Sequence, residues 1–600
     1  MEKSTIAPHI SFISGFFDIH QKELPLPTLY SALAIDKILV RVSEYLTVGA
    51  YGICHGSESP ENLIAKRNNW FLAFSGKIYN LPELKARVAK HDSRFPVLKE
   101  AEILLTLYLY DKEWLLNNLN AKFCAVITNL HTLILLRDKV GEEQIYYGMS
   151  GSSIAFSSEI KIVSSLLGNP ELRFSESFKL FETPVGENTM HQGIFKLEAG
   201  TEVKIDLRTK HITKNTYWYI QSLHANKRTE REYVEELSNL LTDAIRVRIP
   251  QDKQTSAYLS GGQDSSFVCG TLARLNSKPA FVYTTAWNSL DSVYNEEPWA
   301  AIMAQSINVK HIVLQPGPDD FSKHFPITLW ILDEVKANAA HFIEYWIAKE
   351  AYHRGDASLF SGYGSDEILG GEIRYLVMYL DRDRKKTFPL FNSHPLLKNY
   401  KPLMLKLAEL PSDTHEAKKY YHLIKRGDAS LSSETYYQEL IKHSFDQFPT
   451  LIDKMGYTDI LISAPPLLDS SRLNKYWGVD KISPFLDYRV VEYAFSLPEN
   501  LKIEGYTTKK ILRLASSGLV PDVITNRPDK VGFAFPHNDR RYARFLLELA
   551  DALKKRLGDT MSVRTDKTRG RYDRTILMLA SQEILHRFYT DRDFSLIKHT

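Results

Sequence analysis

A short segment rich in glycine and hydroxyl groups has the composition of a phosphate-binding turn. Residues 260–266 read Ser-Gly-Gly-Gln-Asp-Ser-Ser, between a short apolar run and a helical pattern. Two glycines let the backbone approach a phosphate, and the N–H groups at a helix N-terminus attract its negative charge. Asp264 adds a carboxylate of the kind that Mg²⁺ binds through oxygen. The segment does not end in Gly-Lys-Ser/Thr, so it is not the mononucleotide P-loop.

A second acidic turn follows later in the chain. Residues 360–371 read Phe-Ser-Gly-Tyr-Gly-Ser-Asp-Glu-Ile-Leu-Gly-Gly, which is typical of a strand end followed by a glycine-rich turn. The carboxyl ends of parallel strands meet at one edge of an open α/β sheet, and ligands bind there. We therefore expect Asp264 and Asp366 to face one Mg²⁺ beside a phosphate-bearing ligand.

The elements that must position these turns alternate between short apolar strands and helical patterns. This alternation predicts a parallel α/β sheet with crossover helices. The region after residue 371 is mostly helical. The predicted strands of this sheet are 255–259, 280–285, 311–314 and 357–361.

The earlier part of the chain is rich in strand patterns. A junction follows near 216–228, and a capping box from Thr229 to Glu232 begins the next helix. Because 600 residues exceed what one core supports, we predict two domains, 1–215 and 228–600. The strands predicted before the junction are 10–17, 70–74, 123–128, 132–136 and 193–205, and the predicted helices are 81–90, 100–110 and 159–167.

The second domain resembles the synthetase domain of the asparagine synthetase superfamily, whose members cleave ATP to AMP and pyrophosphate. Supporting strings are residues 260–266, 294–300, 361–371, 483–489, 509–513 and 527–532, in the order and at the spacing of the family. The resemblance implies an α/β parallel-sheet ATP-pyrophosphatase domain with a helical C-terminal part, and it implies ATP and Mg²⁺ as cofactors.

The same resemblance implies a set of site residues. Asp264 and Asp366 would hold Mg²⁺, and Lys530 would contact pyrophosphate and the anionic intermediate as a catalytic residue. Glu296 and Lys509 would contact the substrate. The residues that it implies for ATP binding are Leu259, Ser260, Gly261, Gly262, Asp264, Ser265, Ser266, Tyr283, Ser361 and Gly362.

The first domain resembles the glutaminase half of this superfamily, an N-terminal-nucleophile (Ntn) hydrolase-like αββα sandwich. Glutaminase chemistry needs a cysteine next to the initiator methionine, but this chain has Glu2 and its first cysteine is Cys54. The Asn-Gly-Glu of the family is Ser-Gly-Lys at 75–77. We therefore predict a scaffold without glutaminase activity. The strings that carry this resemblance are 74–80, 137–141, 146–148 and 155–160.

Position 363 bears on the source of nitrogen. Asparagine-forming relatives carry glutamate in this slot, whereas relatives that close a ring with an internal amine, such as β-lactam synthetases, carry tyrosine. This chain has Tyr363, which the resemblance implies as a catalytic proton relay. The chain is most similar to lasso-peptide macrolactam synthetases, or cyclases. That similarity implies a precursor peptide as substrate and a leader peptidase as partner.

Several alternatives stay open from sequence. One is a β-lactam synthetase-like or ammonia-dependent asparagine synthetase-like enzyme acting on a small molecule, and another is a non-enzymatic scaffold. A tRNA-modifying pyrophosphatase would need a cysteine relay or a basic RNA-binding face. A net charge of +3 does not indicate a nucleic-acid partner. Three scattered cysteines and the lack of a long apolar stretch indicate a cytoplasmic protein without a membrane partner.

Overall fold

The computed structural model describes most of the chain. Glu2, Cys54 and Lys530 lie outside the described residues, so the roles assigned to these positions stay predictions. The described residues are 12–17, 36–41, 46–52, 64–91, 98–129, 131–174, 181, 184–221, 228–287, 295–335, 339–387, 401–424, 431–462, 470–527, 535–536, 539–558 and 574–597.

The first part of the described chain forms a sandwich of two antiparallel sheets. Its strands are β1 Phe12–Phe17, β2 Asp36–Arg41, β3 Leu46–Gly52, β4 Ile64–Arg67, β5 Trp70–Ile78, β6 Ala121–Thr128, β7 Thr132–Arg137, β8 Tyr146–Ser150, β9 Ser153–Ser157, β10 Ile194–Lys196, β11 Thr201–Asp206 and β12 Ile212–Thr216. One sheet has the order β10-β8-β9-β1-β3-β2, and the other has the order β12-β11-β7-β6-β5-β4.

Alternation of side chains along these strands gives each sheet an inner and an outer face. Buried side chains such as Val126, Leu135 and Phe156 fill the space between the sheets. The outer face of β5 and β6 packs on the first three helices, and that of β8 and β9 packs on the fourth. The αββα sandwich predicted for this half is confirmed. The four helices are α1 Leu81–Val88, α2 Glu100–Tyr110, α3 Lys112–Asn118 and α4 Ile160–Leu166.

One predicted strand of the sandwich is wrong in extent. The segment 193–205 forms two strands, β10 and β11, with a turn between them. Gly200 in this turn has φ +60°, and an added Cβ would lie 2.3 Å from the main-chain oxygen of Trp218. The backbone therefore needs a glycine at this position. The chain turns there, although the apolar pattern alone predicts one continuous strand.

The second half of the chain contains the predicted parallel sheet. Its order is β15-β14-β13-β16-β17, and every neighbouring pair is parallel. The sequence predicted the first four of these strands but not β17. A small hairpin joins β18 and β19. The strands are β13 Thr255–Tyr258, β14 Phe281–Thr285, β15 Lys310–Leu314, β16 Ser358–Phe360, β17 Asp480–Ile482, β18 Ile503–Glu504 and β19 Thr507–Thr508.

Helices cover both faces of this sheet and form the rest of the domain, as predicted. Of the described helices, none is long and apolar enough to cross a membrane. The helices are α5 Glu230–Arg246, α6 Gln263–Arg274, α7 Glu297–Ser306, α8 Pro318–Leu332, α9 Ala340–His353, α10 Ser365–Leu369, α11 Ile373–Asp381, α12 Arg384–Thr387, α13 Lys401–Ala408, α14 Glu416–Ile424, α15 Leu431–Asp446, α16 Leu451–Ile462, α17 Ser471–Tyr476, α18 Tyr488–Ala494, α19 Glu499–Lys502, α20 Lys510–Ala515, α21 Asp522–Thr525, α22 Arg540–Leu557 and α23 Thr575–Leu585, with shorter helical turns at Pro484–Leu486, His586–Asp591 and Ser595–Ile597.

Buried polar contacts join the two halves. Lys122 of β6 donates to Asp480 Oδ1 at 2.9 Å and to the main-chain oxygen of Lys481 at 2.9 Å. Asp487 accepts from Asn120 at 3.0 Å, and Asp333 accepts from the Ile160 N–H at 3.1 Å. Buried charges need such partners, so each contact ties the sandwich to a particular segment of the second half.

Glu142 lies buried at the same junction and makes stability depend on pH. Burial raises the pKa of this carboxyl to about 8, although the positive charges of Lys122 and Arg248 oppose the rise. Because the folded protein binds this proton more tightly than the unfolded chain, stability falls as pH rises from the unfolded pKa of 4.5 towards 8. A tenfold difference in proton affinity between the folded and unfolded states changes the free energy of unfolding by about 1.4 kcal/mol.

We therefore expect Glu142→Gln to flatten this part of the stability profile. The variant should gain thermal stability relative to the unchanged protein as pH rises from 5 to 8. Melting temperatures of the two proteins, measured across that interval in one buffer series, test this. Two parallel curves would mean that the folded protein does not alter the titration of Glu142.

Candidate active site

The turn at residues 260–266 joins β13 to α6 and brings the N-terminus of that helix to the edge of the sheet. Gly261 has φ +67°, and an added Cβ would lie 2.5 Å from the Cβ of Trp299, so a larger residue does not fit. The Ser265 hydroxyl lies 3.2 Å from the main-chain nitrogen of Ser260 and 3.2 Å from its hydroxyl. These contacts hold the turn in one shape, with the partial positive charge of the helix end available to an anion.

The second turn, at residues 361–366, packs directly on the first. A Cβ on Gly362 would lie 2.6 Å from both the Asp264 Cβ and the Ser265 main-chain nitrogen, so the two backbones approach closely only because residue 362 is glycine. The Ser365 hydroxyl donates to Asp264 Oδ1 at 2.8 Å. The two glycine-rich turns therefore form one continuous surface at the carboxyl ends of β13 and β16.

Asp264 and Asp366 share one cation in this structure. Lys509 Nζ lies 2.6 Å from the Oδ1 atom of each carboxylate, and the lysine side chain is only 4% exposed. The ammonium ion stands in the position that a metal between two carboxylates would take. Mg²⁺ prefers oxygen ligands and keeps several waters or phosphate oxygens. The aspartate pair therefore fits a Mg²⁺ site that a nucleotide phosphate completes.

Gly371 makes room for the stem of Lys509. A Cβ at this position would lie 1.8 Å from Lys509 Cε and 2.1 Å from Asp366 Oδ1. We expect Gly371→Ala to displace both groups and to slow about 100-fold the pyrophosphate release from ATP that the sequence predicts, as misplacements near 1 Å do. Gly317→Ala is the matched control, since its nearest neighbour, Asp320 Oδ2, would lie 3.6 Å away. Equal rates in the two variants would contradict this role of Gly371.

The other predicted residues lie around the same edge or outside the described chain. Glu296 Oε1 lies 3.2 Å from Arg527 Nη2, and Arg527 in turn donates to the main-chain oxygen of Gly261 at 3.3 Å. The Leu259 N–H donates to the Tyr283 carbonyl at 2.9 Å, and the Tyr283 hydroxyl donates to Asp356. The ATP-binding, metal-binding and substrate-binding roles assigned to these residues and to those of the two turns stay predictions.

A cavity of about 160 Å³ opens beside the two turns. Its lining includes both predicted metal ligands and Tyr363, and it also includes Glu344 of α9 and Lys481 of β17, which sequence reasoning missed. The other residues that line it are Tyr258, Ser260, Ser265, Ala340, Ile343, Ser361 and Gly362.

Lys481 and Glu344 form an ion pair in the wall of this cavity. Lys481 Nζ donates to Glu344 Oε2 at 2.8 Å and to the Ser470 hydroxyl at 2.7 Å. It also lies 4.6 Å from the centre of the Tyr363 ring, within the range of a cation–π contact. The pair is largely buried, with 6% of the lysine and 17% of the glutamate side chain exposed. The only sequence signal for it was the apolar helical period that places Glu344 on the inner face of α9.

Comparison with known proteins gives consistent matches over both halves. Residues 236–592 match the family described as asparagine synthase, and residues 54–218 match the glutamine amidotransferase domain. Glutamine-hydrolyzing asparagine synthetase 1 of Bacillus subtilis strain 168 is 25% identical over 502 residues, which cover 78% of this chain and 76% of that protein. Glutamine-hydrolyzing asparagine synthetase 3 of the same strain is 23% identical over 508 residues, covering 79% and 76%.

Proposed function

Because this chain belongs to the asparagine synthase family, we propose that it is an ATP-dependent carbon–nitrogen ligase that closes a macrolactam in a peptide of the lasso type. The family match extends from 236 to 592, more than half of the chain, and an asparagine synthetase-like, amide-forming, ATP-dependent enzyme follows from that membership. The proposal adds that the enzyme forms AMP and that the amine and the carboxylate belong to one precursor peptide.

The observation that carries the proposal is the position of Tyr363. Tyr363 lines the same cavity as Asp264 and Asp366. In the resemblance drawn from sequence, tyrosine in this slot accompanies ring closure by an internal amine, whereas glutamate accompanies asparagine formation. A tyrosine beside the aspartate pair is suited to relay the proton that an attacking amine must lose.

The proposed reaction has two steps. A carboxylate oxygen of the peptide attacks the α-phosphorus of ATP, and the bond to pyrophosphate breaks. The N-terminal turn of α6 and Lys530 would stabilise the charge on the phosphates, and bound Mg²⁺ would neutralise part of that charge. The amine then attacks the acyl carbon, AMP leaves with the electrons of the C–O bond, and Tyr363 assists removal of the nitrogen proton. Holding both reacting ends in one molecule raises their effective concentration.

The first half supports an amine source other than glutamine. Residues 75–77 lie in β5, and a Cβ on Gly76 would lie 2.0 Å from the Lys122 main-chain oxygen, so the strand keeps a close backbone approach. The flanking Ser75 and Lys77 replace the family's amide and carboxylate side chains. We therefore propose that this half is a scaffold without glutaminase activity. A cytoplasmic location and a partner leader peptidase, which would supply the free amine, belong to the same proposal.

The proposed function is tested with synthetic peptides that carry a free N-terminal glycine and one internal aspartate or glutamate at successive positions. With Mg-ATP, one of them should release pyrophosphate and lose the mass of one water molecule. L-Aspartate with ammonium chloride is the parallel reaction for the ammonia-dependent alternative. Asparagine formation there, without cyclisation of any peptide, would contradict the proposal.

Tyr363→Phe should separate the two steps. We expect pyrophosphate exchange into ATP to persist, because the phenol is not needed for attack on the α-phosphorus. Ring closure should slow by about 10²- to 10⁴-fold, the usual contribution of positioned proton transfer. Exchange and mass spectrometry on one peptide measure both steps, and Tyr219→Phe at an exposed position is the control. An equal loss of both steps would contradict the role given to Tyr363.

A further inference from the structure

We propose that Glu344 and Lys481 form the subsite that receives the amine-bearing end of the substrate, bound there as a primary ammonium ion. This inference rests on the proposed function, in which an amine attacks an activated carboxylate. It assigns the amine end to a particular part of the cavity and names the group that binds it.

Glu344 is placed in the cavity by the geometry of α9. Ala340, Ile343 and Glu344 are spaced at i, i+3 and i+4, which puts them on one face of the helix. All three line the cavity. The first two are apolar, so Glu344 is the hydrogen-bonding group that this helix presents there.

Lys481 already has three contacts in the cavity wall. A lysine ammonium has three donors. Two of them bind Glu344 Oε2 and the Ser470 hydroxyl, and the ammonium also contacts the ring of Tyr363. We therefore assign Lys481 a positioning role: it holds the Glu344 carboxylate in place, and it has little capacity left for a second anion.

Glu344 keeps an acceptor that the structure does not use. Its Oε2 accepts from Lys481, and within the described ranges no donor is found for Oε1. An ionised carboxylate has about four acceptor sites. The aromatic residues Tyr258 and Tyr363 line the same cavity as Glu344. A fixed carboxylate beside aromatic rings is a favourable environment for an ammonium ion.

The charges of the cavity also favour a cation. Its lining carries the carboxylates of Asp264, Glu344 and Asp366 and the ammonium of Lys481, and Lys509 lies between the two aspartates, so three carboxylates face two ammonium ions. With Mg²⁺ and ATP assigned to the aspartate pair, Glu344 is the remaining lining carboxylate. An ammonium ion can bind the unused Oε1 of Glu344, whereas an anionic group would be repelled by that oxygen. Two sources of that ion are possible: the N-terminus of a peptide and free ammonium.

The test compares the apparent affinities for one active peptide and for its N-acetylated form. Both are measured in the pyrophosphate exchange reaction, which needs the carboxylate but not the amine. Glu344→Gln should weaken the apparent affinity for the free-amine peptide by about 10- to 100-fold, the range of a hydrogen bond to a charged group. The affinity for the acetylated peptide should not change. Glu350→Gln is the matched control, because Glu350 lies on the same helix and pairs at the surface with Arg354.

Further variants keep the test decisive. If Glu344→Gln folds poorly, Glu344→Asp keeps the charge and should give a smaller loss for the free-amine peptide alone. Equal effects on the two peptides, or none, would overturn the inference. The inference would also be overturned if Lys481→Met lowered the apparent affinity for both peptides while Glu344→Gln lowered it for neither. In that case an anionic group of the substrate would bind Lys481.

The source of the ammonium is tested in a parallel arm. If L-aspartate with ammonium chloride is the productive reaction, Glu344→Gln should raise the KM for ammonium, and an unchanged KM would overturn the inference. Failure of the proposed function has a different signature. The proposed function fails if the unchanged protein cyclises no peptide, whereas the inference falls with it only if neither a peptide nor aspartate supports exchange.

Discussion

Replacing Asp366 with asparagine is expected to slow ATP-dependent pyrophosphate release by about 10³-fold or more. The change removes one of the two carboxylates that bind a single cation. Metal stabilisation of phosphoryl charge lowers the activation free energy by several kcal/mol. Each 1.4 kcal/mol corresponds to about a tenfold change in rate. The carboxylate is 33% exposed, and Lys509 keeps its contact with Asp264, so the fold should tolerate the change. Pyrophosphate release with Mg-ATP and an active peptide measures the effect.

Asp383→Asn is the control for this prediction, because Asp383 forms an exposed pair with Lys386. Its rate should match that of the unchanged protein. Chelation of Mg²⁺ should abolish release in all three proteins, and re-addition should restore it. A normal rate in Asp366→Asn at saturating Mg-ATP would remove Asp366 from the metal site.

The largest loss of stability is expected from Lys122→Met. Burial alone would lower the pKa of Lys122, but the charges of Asp480 and Glu143 hold that pKa well above its usual value. The side chain is 2% exposed, and Nζ lies 2.9 Å from Asp480 and 3.7 Å from Glu143. Methionine would leave Asp480 without this counter-charge, whereas Glu143 would keep its ion pair with Lys475, and removing one partner of a buried pair costs about 3–5 kcal/mol. Urea unfolding followed by fluorescence and circular dichroism measures the change.

Lys112→Met provides the comparison. Lys112 pairs with Glu202 at 2.8 Å, but the lysine is 40% exposed, so its loss should cost about 0–1 kcal/mol. Similar losses in the two variants would mean that the contact between Lys122 and the second half contributes no more than a surface ion pair. The position of β17 would then have to depend on other contacts.

The sequence predicted those elements whose pattern is local. The apolar runs at 255–259, 280–285, 311–314 and 357–361 lie within a residue or two of β13 to β16. The strand β17 was missed because it has three residues, of which only Ile482 is apolar. It is a strand only by virtue of its parallel pairing with β16, a segment far away in the sequence. Patterns within a short window carry no information about such a pairing.

Sequence reasoning found the site residues that belong to local patterns, and it missed those that only contacts between distant segments bring to the site. The turns that contain Asp264 and Asp366 are recognisable because their glycines, hydroxyls and carboxylates are contiguous. Glu344 comes from the middle of a helix and Lys481 from the strand that was missed. Each has an ordinary sequence environment, and only the fold brings them together beside Tyr363.

The hydrogen bond from Lys122 to the main-chain oxygen of Lys481 has a consequence for the whole molecule. β17 is the last strand of the parallel sheet, so among the strands that the structure describes one of its sides has no neighbour, and open strand sides of this kind promote aggregation. A lysine from the sandwich occupies that side. A ligase half produced on its own would expose a template for self-association, which gives a physical reason for natural selection to keep the amidotransferase-like half joined to it.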